Sequence, residues 1–322
     1  MELTRRNVMA LLAALAPSPA FAAPYPDRPV RMVVPLAPGG PADTAARVFG
    51  PYLSAALGQS VFIENRAGAS SVIGTESVVR ATPDGYTLLF GSSSTFAVNP
   101  AVMKRLRFDT LKELKLIGLV SYTPHVLVVR TPLGVDTLGD LIKLAKRQPG
   151  KLTYASSGAG GAIHLASELF KRDAGVELLH VPYRGGGPAL IGLLSNDVDV
   201  FINDVSTVLP NIQSGKLKAL AMAWPKRSPL LPEVATFGEL GLPSMISSSW
   251  SGLAAPAATL PDILARLDAA LRQALAAPEY HAALKRIGLE LFDFNAEQTT
   301  AFIKTETEKW SALAKSANIQ VD

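Results

Sequence analysis

Short runs of β-branched and aromatic residues alternate along this chain with stretches whose apolar positions recur every three to four residues, the pattern of strand–helix units. Val30–Pro35 (VRMVVP) reads as a buried strand that ends in Leu36-Ala-Pro-Gly-Gly-Pro41 and leads into a helix from about Ala42. Leu152–Ala155 repeats the unit, ending in Ser156-Ser-Gly-Ala-Gly-Gly161 before a helix through Phe170. Set side by side, Gly39-Gly40 falls on Gly160-Gly161, Asp43 on His164 and Phe49 on Phe170. Val61–Asn65, the loop Arg66-Ala-Gly-Ala-Ser70 and a helix match Leu178–Tyr183, Arg184-Gly-Gly-Gly187 and a helix. Tyr86–Phe90 with Gly91-Ser-Ser-Ser94 matches Val198–Ile202 with Asn203-Asp204. Three units in one order point to two halves of shared architecture.

The halves are not simply consecutive. Pro124–Val129 (PHVLVV) reads as a strand leaving the first half and Trp250–Ala255 (WSGLAA) as one returning to it. Helices at about Asp262–Ala276, Tyr280–Ile287 and Glu297–Ser316 are then expected to pack on the first half. The expected fold class is α/β with two lobes, residues 23–124 plus 250–322 and residues 125–249, joined by two crossover strands. Ligands in open α/β sheets bind beyond the carboxyl ends of the strands, and domain interfaces favour pockets. In the first helix, Gly50-Pro51 marks an irregularity and an expected kink.

The N-terminus carries an address of a different kind. Arg5 and Arg6 precede an apolar run, Val8–Ala16, of about half the length a bilayer span needs. Ala20-Phe21-Ala22 supplies the small-x-small pattern of a cleavage site, so residues 1–22 are expected to be a signal peptide. A buried N-terminal helix is the competing reading. Thr4-Arg5-Arg6-Asn7-Val8-Met9 resembles a twin-arginine signal, although Sec export fits as well. A soluble, periplasmic mature protein is expected.

Composition narrows the function. Of 322 residues 48% are apolar and 18% charged, with a net charge of +4 and no long basic run, which does not call for nucleic acid. Zero Cys excludes disulfides, a thiol nucleophile and Cys-ligated zinc. Ile163 stands where a dinucleotide fingerprint needs its third Gly, neither Gly150-Lys151 nor Gly215-Lys216 completes a P-loop, and no Gly-x-Ser-x-Gly elbow occurs. His125, His164, His180 and His281 lack metal-ligand spacing. No cofactor and no metal are expected.

The Gly-rich turns carry the chemistry. A helix that starts without a side-chain cap exposes backbone N–H groups and its positive dipole end, and so holds a carboxylate or phosphate without a cationic side chain. One dipole contributes about 0.3–1 kcal/mol at an exposed site, whereas a micromolar ligand needs about 8 kcal/mol. Two such ends facing each other, with Ser hydroxyls and charge-assisted hydrogen bonds, fit a small organic acid. A positive φ is expected at Gly40, where a β-branched side chain would block approach to the backbone. Asp43 is either a structural cap or part of the site; His164 is either a satisfied core imidazole or a ligand contact. Arg66 and Arg184 tip equivalent loops, as ligand partners or as solvated side chains. Trp250 is expected in the core or at a hinge. Asp204, at the end of an apolar strand, suits a ligand amine or hydroxyl, or an internal partner. Ser156, Ser157 and His164 raise the alternative of a hydrolase, without an evident orienting acid.

Tyr25-Pro-Asp-Arg-Pro-Val30, VVPLAPGGPAD, ENRAGASSVIG, ATPDGYTLL, QPGKLTYASSGAGGAIHLASELF, HVPYRGGGPAL and FGELGLP together resemble the Bug-type extracytoplasmic solute receptors. These are the periplasmic binding proteins of tripartite tricarboxylate transporters. The resemblance spans the mature chain and implies a two-lobed, type II-like periplasmic binding protein that captures carboxylates for a membrane permease with a large and a small subunit. It implies that Pro38, Gly39, Gly40, Ala42 and Asp43 clamp one carboxylate, and that Ser156, Ser157, Gly160, Gly161 and His164 form the second-lobe loop. Tyr183 and Arg184 fall in its third loop. Ser92, Ser94 and Thr95 fall where members vary with substrate, as does Asp204. Phe96 stands where a polar residue is common, which implies a less polar pocket. A monomer is expected, and the alternatives are a secreted α/β hydrolase using Ser156 or Ser94 and an orphan sensory receptor.

Overall fold

The computed structural model describes residues 25–292, 294 and 296–321, so the expected signal peptide, residues 1–22, lies outside the described residues. Val30–Val34 forms strand β1, buried at its four apolar positions and half-buried at Arg31, whose guanidinium bonds Glu64 and Thr87 on the neighbouring strands. Strands β2 (Val61–Asn65) and β3 (Thr87–Ser92) lie parallel on either side of it, reached through helices α1 (Pro41–Leu57) and α2 (Val72–Val79). Helix α1 continues through Gly50-Pro51 to Leu57. After β3 come a π-helical turn (Ser94–Val98), α3 (Asn99–Val102) and α4 (Thr110–Glu113), and then the 17-residue strand β4 (Leu114–Arg130).

The second half repeats the plan. Helix α5 (Leu138–Arg147) starts at Thr137, whose hydroxyl accepts from the Asp140 amide at 3.1 Å. Strand β5 (Thr153–Ser156) is central, α6 (Ala162–Ala174) leads to β6 (Leu179–Pro182), and α7 (Gly186–Leu194) leads to β7 (Val200–Asp204). Both flanking strands are parallel to β5. Helix α8 (Val205–Gln213) and β8 (Leu217–Met222) follow; β9 (Ser248–Pro256) and the helices α9 (Pro261–Leu275), α10 (Pro278–Arg286) and α11 (Ala296–Ser316) complete the chain. The order β2-β1-β3 closed by antiparallel β9 recurs as β6-β5-β7 closed by antiparallel β4. The recurrence read along the sequence is therefore a recurrence of topology.

Strand β4 belongs to both sheets. Leu114–Pro124 pairs with β9, and from His125 the strand pairs with β7, with β8 on its other edge. It starts ten residues before the expected Pro124, which sits inside it at the change of partner and opposite Ser248. Helix α11 also differs from expectation, packing on the π-turn and α3 of the first half and on α6 of the second. Its Ile303, Trp310 and Leu313 join the core cluster that contains Phe96, Trp250, Phe170 and Phe237. Each such buried side chain is worth roughly 1.5–3 kcal/mol, so the helix ties the halves together.

Candidate functional site

The carboxyl ends of β1, β3, β5 and β7 converge with the middles of β4 and β9 on a cavity of about 630 Å³. Its walls are helix starts. At α1, Gly39 is left-handed (φ 79°), Gly40 is the N-cap in extended conformation (φ −79°, ψ 170°), and Pro41 fills the first helical position, where no N–H is needed. At α6, Gly160 has φ 73° and the N-cap Gly161 has φ −79° and ψ 169°, the same geometry. Glycine has no side chain to cap with, so the amides of Ala42 and Asp43, and of Ala162 and Ile163, receive no partner from either N-cap residue. The left-handed residue of the first turn is thus Gly39. Gly40 does not need a positive φ, and a Cβ there would meet only the Ala37 carbonyl oxygen, at 3.6 Å.

The two turns are held by one device with two side chains. Asp43, third in α1, accepts from the Gly39 amide at 2.9 Å, and His164, third in α6, accepts through Nδ1 from the Gly160 amide at 3.0 Å. Side chain reaches back to backbone as in a capping box. Asp43 also accepts from Arg47 Nε and from Asn65 Nδ2, each at 2.9 Å, and Asn65 donates to the Leu36 carbonyl. The Arg47 hydrogen bond, with those from Gly39 and Asn65, outweighs burial and holds the Asp43 carboxyl down at about 2. Burial, then the neighbouring His180, pushes His164 down to about 4. A neutral ring accepting at Nδ1 carries its proton on Nε2.

Behind the second turn lies a ring stack that sequence reasoning missed, with Tyr154 and His164 buried and His180 half-buried between them. The His164 and His180 rings lie 4.0 Å apart and nearly parallel, with Tyr154 stacked on His180 at 4.8 Å. Ser156 Oγ is 2.6 Å from His180 Nε2 and also bonds both the amide and the carbonyl of Gly158. Ser156 is fully buried and off the cavity wall; Ser157 is on it.

Of the expected residues, Ala42, Ser92, Ser94, Ser157, Gly160, Gly161 and Asp204 line the cavity. Asp43, Ser156 and His164 sit behind it, with the Asp43 carboxylate, Ser156 Oγ and His164 Nδ1 engaged as described. Thr95 is also behind it, its hydroxyl shared between the Ser92 amide and Ser71 Oγ. Pro38, Gly39 and Arg184 are exposed and Gly40 is half-buried, and none of the four lines the cavity. Tyr183 packs against α7, its hydroxyl against Gly192. Phe96 is buried and reaches the cavity through Trp250, on which it stacks at 5.9 Å with 6° between the planes. Trp250 lines the wall.

The floor is where sequence reasoning fell short. Ser121, Tyr122 and Thr123 from β4, Ser249, Trp250 and Ser251 from β9, and Asn203 and Asp204 from β7 form it. The only available signal was the run of small polar residues inside otherwise apolar strands. Thr123 Oγ1, Asn203 Nδ2 and Asp204 Oδ1 are buried without a hydrogen-bond partner among the described residues. Among those residues Asp204 is the one charged side chain on the wall; no Lys, Arg or His lines it. Also among the described residues, no group of three or more acidic or His side chains is placed to hold a metal, and no helix is long and apolar enough to cross a membrane.

The profile of the family described as "Tripartite tricarboxylate transporter family receptor" matches residues 45–319. The chain is similar to Protein BugT of Bordetella pertussis, 36% identical over 305 residues that cover 94% of each chain. Among solved structures it is similar to the periplasmic binding protein BugD (34% identity, TM-score 0.78, 92% of this chain and 99% of that one). It is also similar to an R. palustris protein, Rpa4515, solved with adipate (32% identity, TM-score 0.82, 92% and 99%).

Proposed function

We propose, from the premise that the chain belongs to the tripartite tricarboxylate transporter receptor family, that it is a periplasmic receptor which closes two lobes on a small organic carboxylate and delivers it to a membrane permease. One observation carries this reading: the uncapped starts of α1 and α6 converge on a cavity whose wall, among the described residues, has no cationic side chain. Such a wall supplies peptide N–H groups and two positive dipole ends, fitted to an acid small enough to touch both. The adipate bound to the R. palustris relative supports the ligand class.

The lobes comprise residues 23–124 with 250–322 and residues 125–249, a division supported by the change of partners in β4 at Pro124–His125. Ala42, Ser92, Ser94, Ser157, Gly160 and Gly161 contact the ligand. Asp43, Thr95, Ser156 and His164 set the loops behind them, and Pro38, Gly39, Gly40, Tyr183 and Arg184 frame the mouth. Residues 1–22 direct export, and the mature protein works as a monomer without cofactor or catalysis. Ser156, fully buried and off the cavity wall, supports the last point, because a ligand in the cavity does not reach its hydroxyl.

A thermal-shift panel of mono-, di- and tricarboxylates tests the reading. A ligand at 100 times its Kd adds about 2.7 kcal/mol of stability. Failure of every carboxylate to shift the transition, or turnover of an ester panel by the purified protein, overturns it.

A further inference from the structure

Asp204 is in an unusual position for an acid in a receptor for acids. It occupies the N-cap of α8, where an Asp side chain ordinarily accepts from the first-turn amides. Here it makes no cap hydrogen bond. Only 6% exposed, it lies instead on the cavity wall with Oδ1 lacking a hydrogen-bond partner. The nearest cation-forming group is His125, opposite it in the β4–β7 ladder, whose Nε2 lies 3.3 Å from Oδ1 but outside hydrogen-bonding geometry. Both ring nitrogens of His125 already face hydroxyls, Nδ1 that of Ser247 at 2.8 Å and Nε2 that of Ser249 at 3.1 Å. Two residues earlier along β4, and so on the same face as His125, Thr123 Oγ1 is also buried without a partner.

A buried acceptor and a buried hydroxyl left open beside a ligand cavity cost free energy unless the ligand completes them. An unsubstituted carboxylate can accept from the Thr123 hydroxyl and from Asn203 Nδ2, but it cannot complete Asp204, because its ionised groups only accept and Asp204 repels them. We propose that Asp204, with Thr123, receives a hydrogen-bond donor of the ligand, so that the protein selects carboxylates carrying an ammonium or hydroxyl group over their unsubstituted counterparts. The ligand is then read from two directions. Its carboxylate goes to the amides of α1 and α6, and its donor goes down to the floor between β4 and β7. This inference rests on the carboxylate-receptor reading above.

The test uses calorimetric titration of the full mature protein with matched trios of carboxylic acids that differ only in bearing hydrogen, hydroxyl or ammonium, for example succinate, malate and aspartate. Trios of three to six carbons are compared on the wild type and on Asp204→Asn, with circular dichroism melting as the folding control. A hydrogen bond to a charged group is lost or gained at roughly tenfold or more in affinity. Within the trio that binds, the wild type is expected to favour the hydroxy or amino member at least tenfold, and Asp204→Asn to bring that ratio to within about twofold. Preference for the ammonium member or the hydroxyl member identifies the donor. Equal affinity across the binding trio, or a ratio that survives Asp204→Asn, overturns the inference and leaves the receptor standing. Binding of no carboxylate at all overturns the receptor reading as well. Should Asp204→Asn fail to fold, the wild-type ratios and Thr123→Val decide.

Discussion

Replacing Asp43 by Asn keeps the shape of the side chain and removes its charge. In the native turn the carboxylate gathers Gly39, Arg47 and Asn65 and is held at about 2 against an ordinary value of 3.8. That difference corresponds to about 2.5 kcal/mol of preference for the ionised form in the folded state. Arg47 is 55% exposed, so solvent and salt screen part of this, and a loss of about 1–2 kcal/mol is expected for Asp43→Asn at pH 7. The sign follows from the lowered value. The stabilisation is complete above about pH 4 and disappears as the pH falls through about 2, where the native carboxyl takes up its proton. Urea unfolding of both proteins at pH 7, 4 and 2.5 and at low and high salt measures it. Wild type and variant should converge in acid and partly converge in salt. A gap that is absent at pH 7, or unchanged down to pH 2.5, refutes the claim that this carboxylate shapes the turn through its charge.

Gly160→Ala puts a side chain at φ 73° with its Cβ 2.7 Å from Val321 Cγ1, whereas Gly40→Ala is unstrained at φ −79°. Unfolding titrations should show the first losing about 1–2 kcal/mol and the second within about 0.5 kcal/mol of wild type; equal effects contradict the assigned turn. Glu306→Ala leaves the half-buried Lys309 ammonium with the Ile246 carbonyl but no counter-charge, and removes the acceptor of the Trp250 and Trp310 indole N–H groups. A loss of roughly 3–5 kcal/mol is expected in denaturant unfolding, and a loss below about 1 kcal/mol would show that α11 does not depend on this acid.

Local chemistry made much of this legible in the sequence. The runs rich in β-branched and aromatic residues at Val30–Val34 and Val61–Asn65 and the glycine pairs before α1 and α6 declare strands and uncapped helix starts directly. The alignment of Asp43 with His164 also holds in space, since both accept from a backbone amide four residues earlier. What escaped were features made by long-range pairing. Strand β4 runs through Pro124 because β9 lies beside it up to that residue and β7 takes over beyond it, a handover that no local pattern marks. The His164–His180 stack joins residues on α6 and β6 that only the β5–β6 ladder brings together. Gly39 and Gly40 are indistinguishable as letters, and only the backbone shows which one is left-handed. The cavity floor was hidden for the same reason: strand register sets Thr123 opposite Ser249 and brings Asn203 of β7 onto the same cavity, and their type alone suggests nothing beyond small polar positions.

The proposed receptor holds its ligand with peptide amides at two opposed helix starts rather than with cationic side chains. A crystal structure of the mature protein with a carboxylate selected by the thermal-shift panel tests this most directly. A carboxylate oxygen within hydrogen-bonding distance, about 3 Å, of the Ala42 or Asp43 amide on one side and of the Ala162 or Ile163 amide on the other is the predicted result. A ligand held by Lys or Arg side chains, or lying outside the space between the two glycine turns, would contradict it.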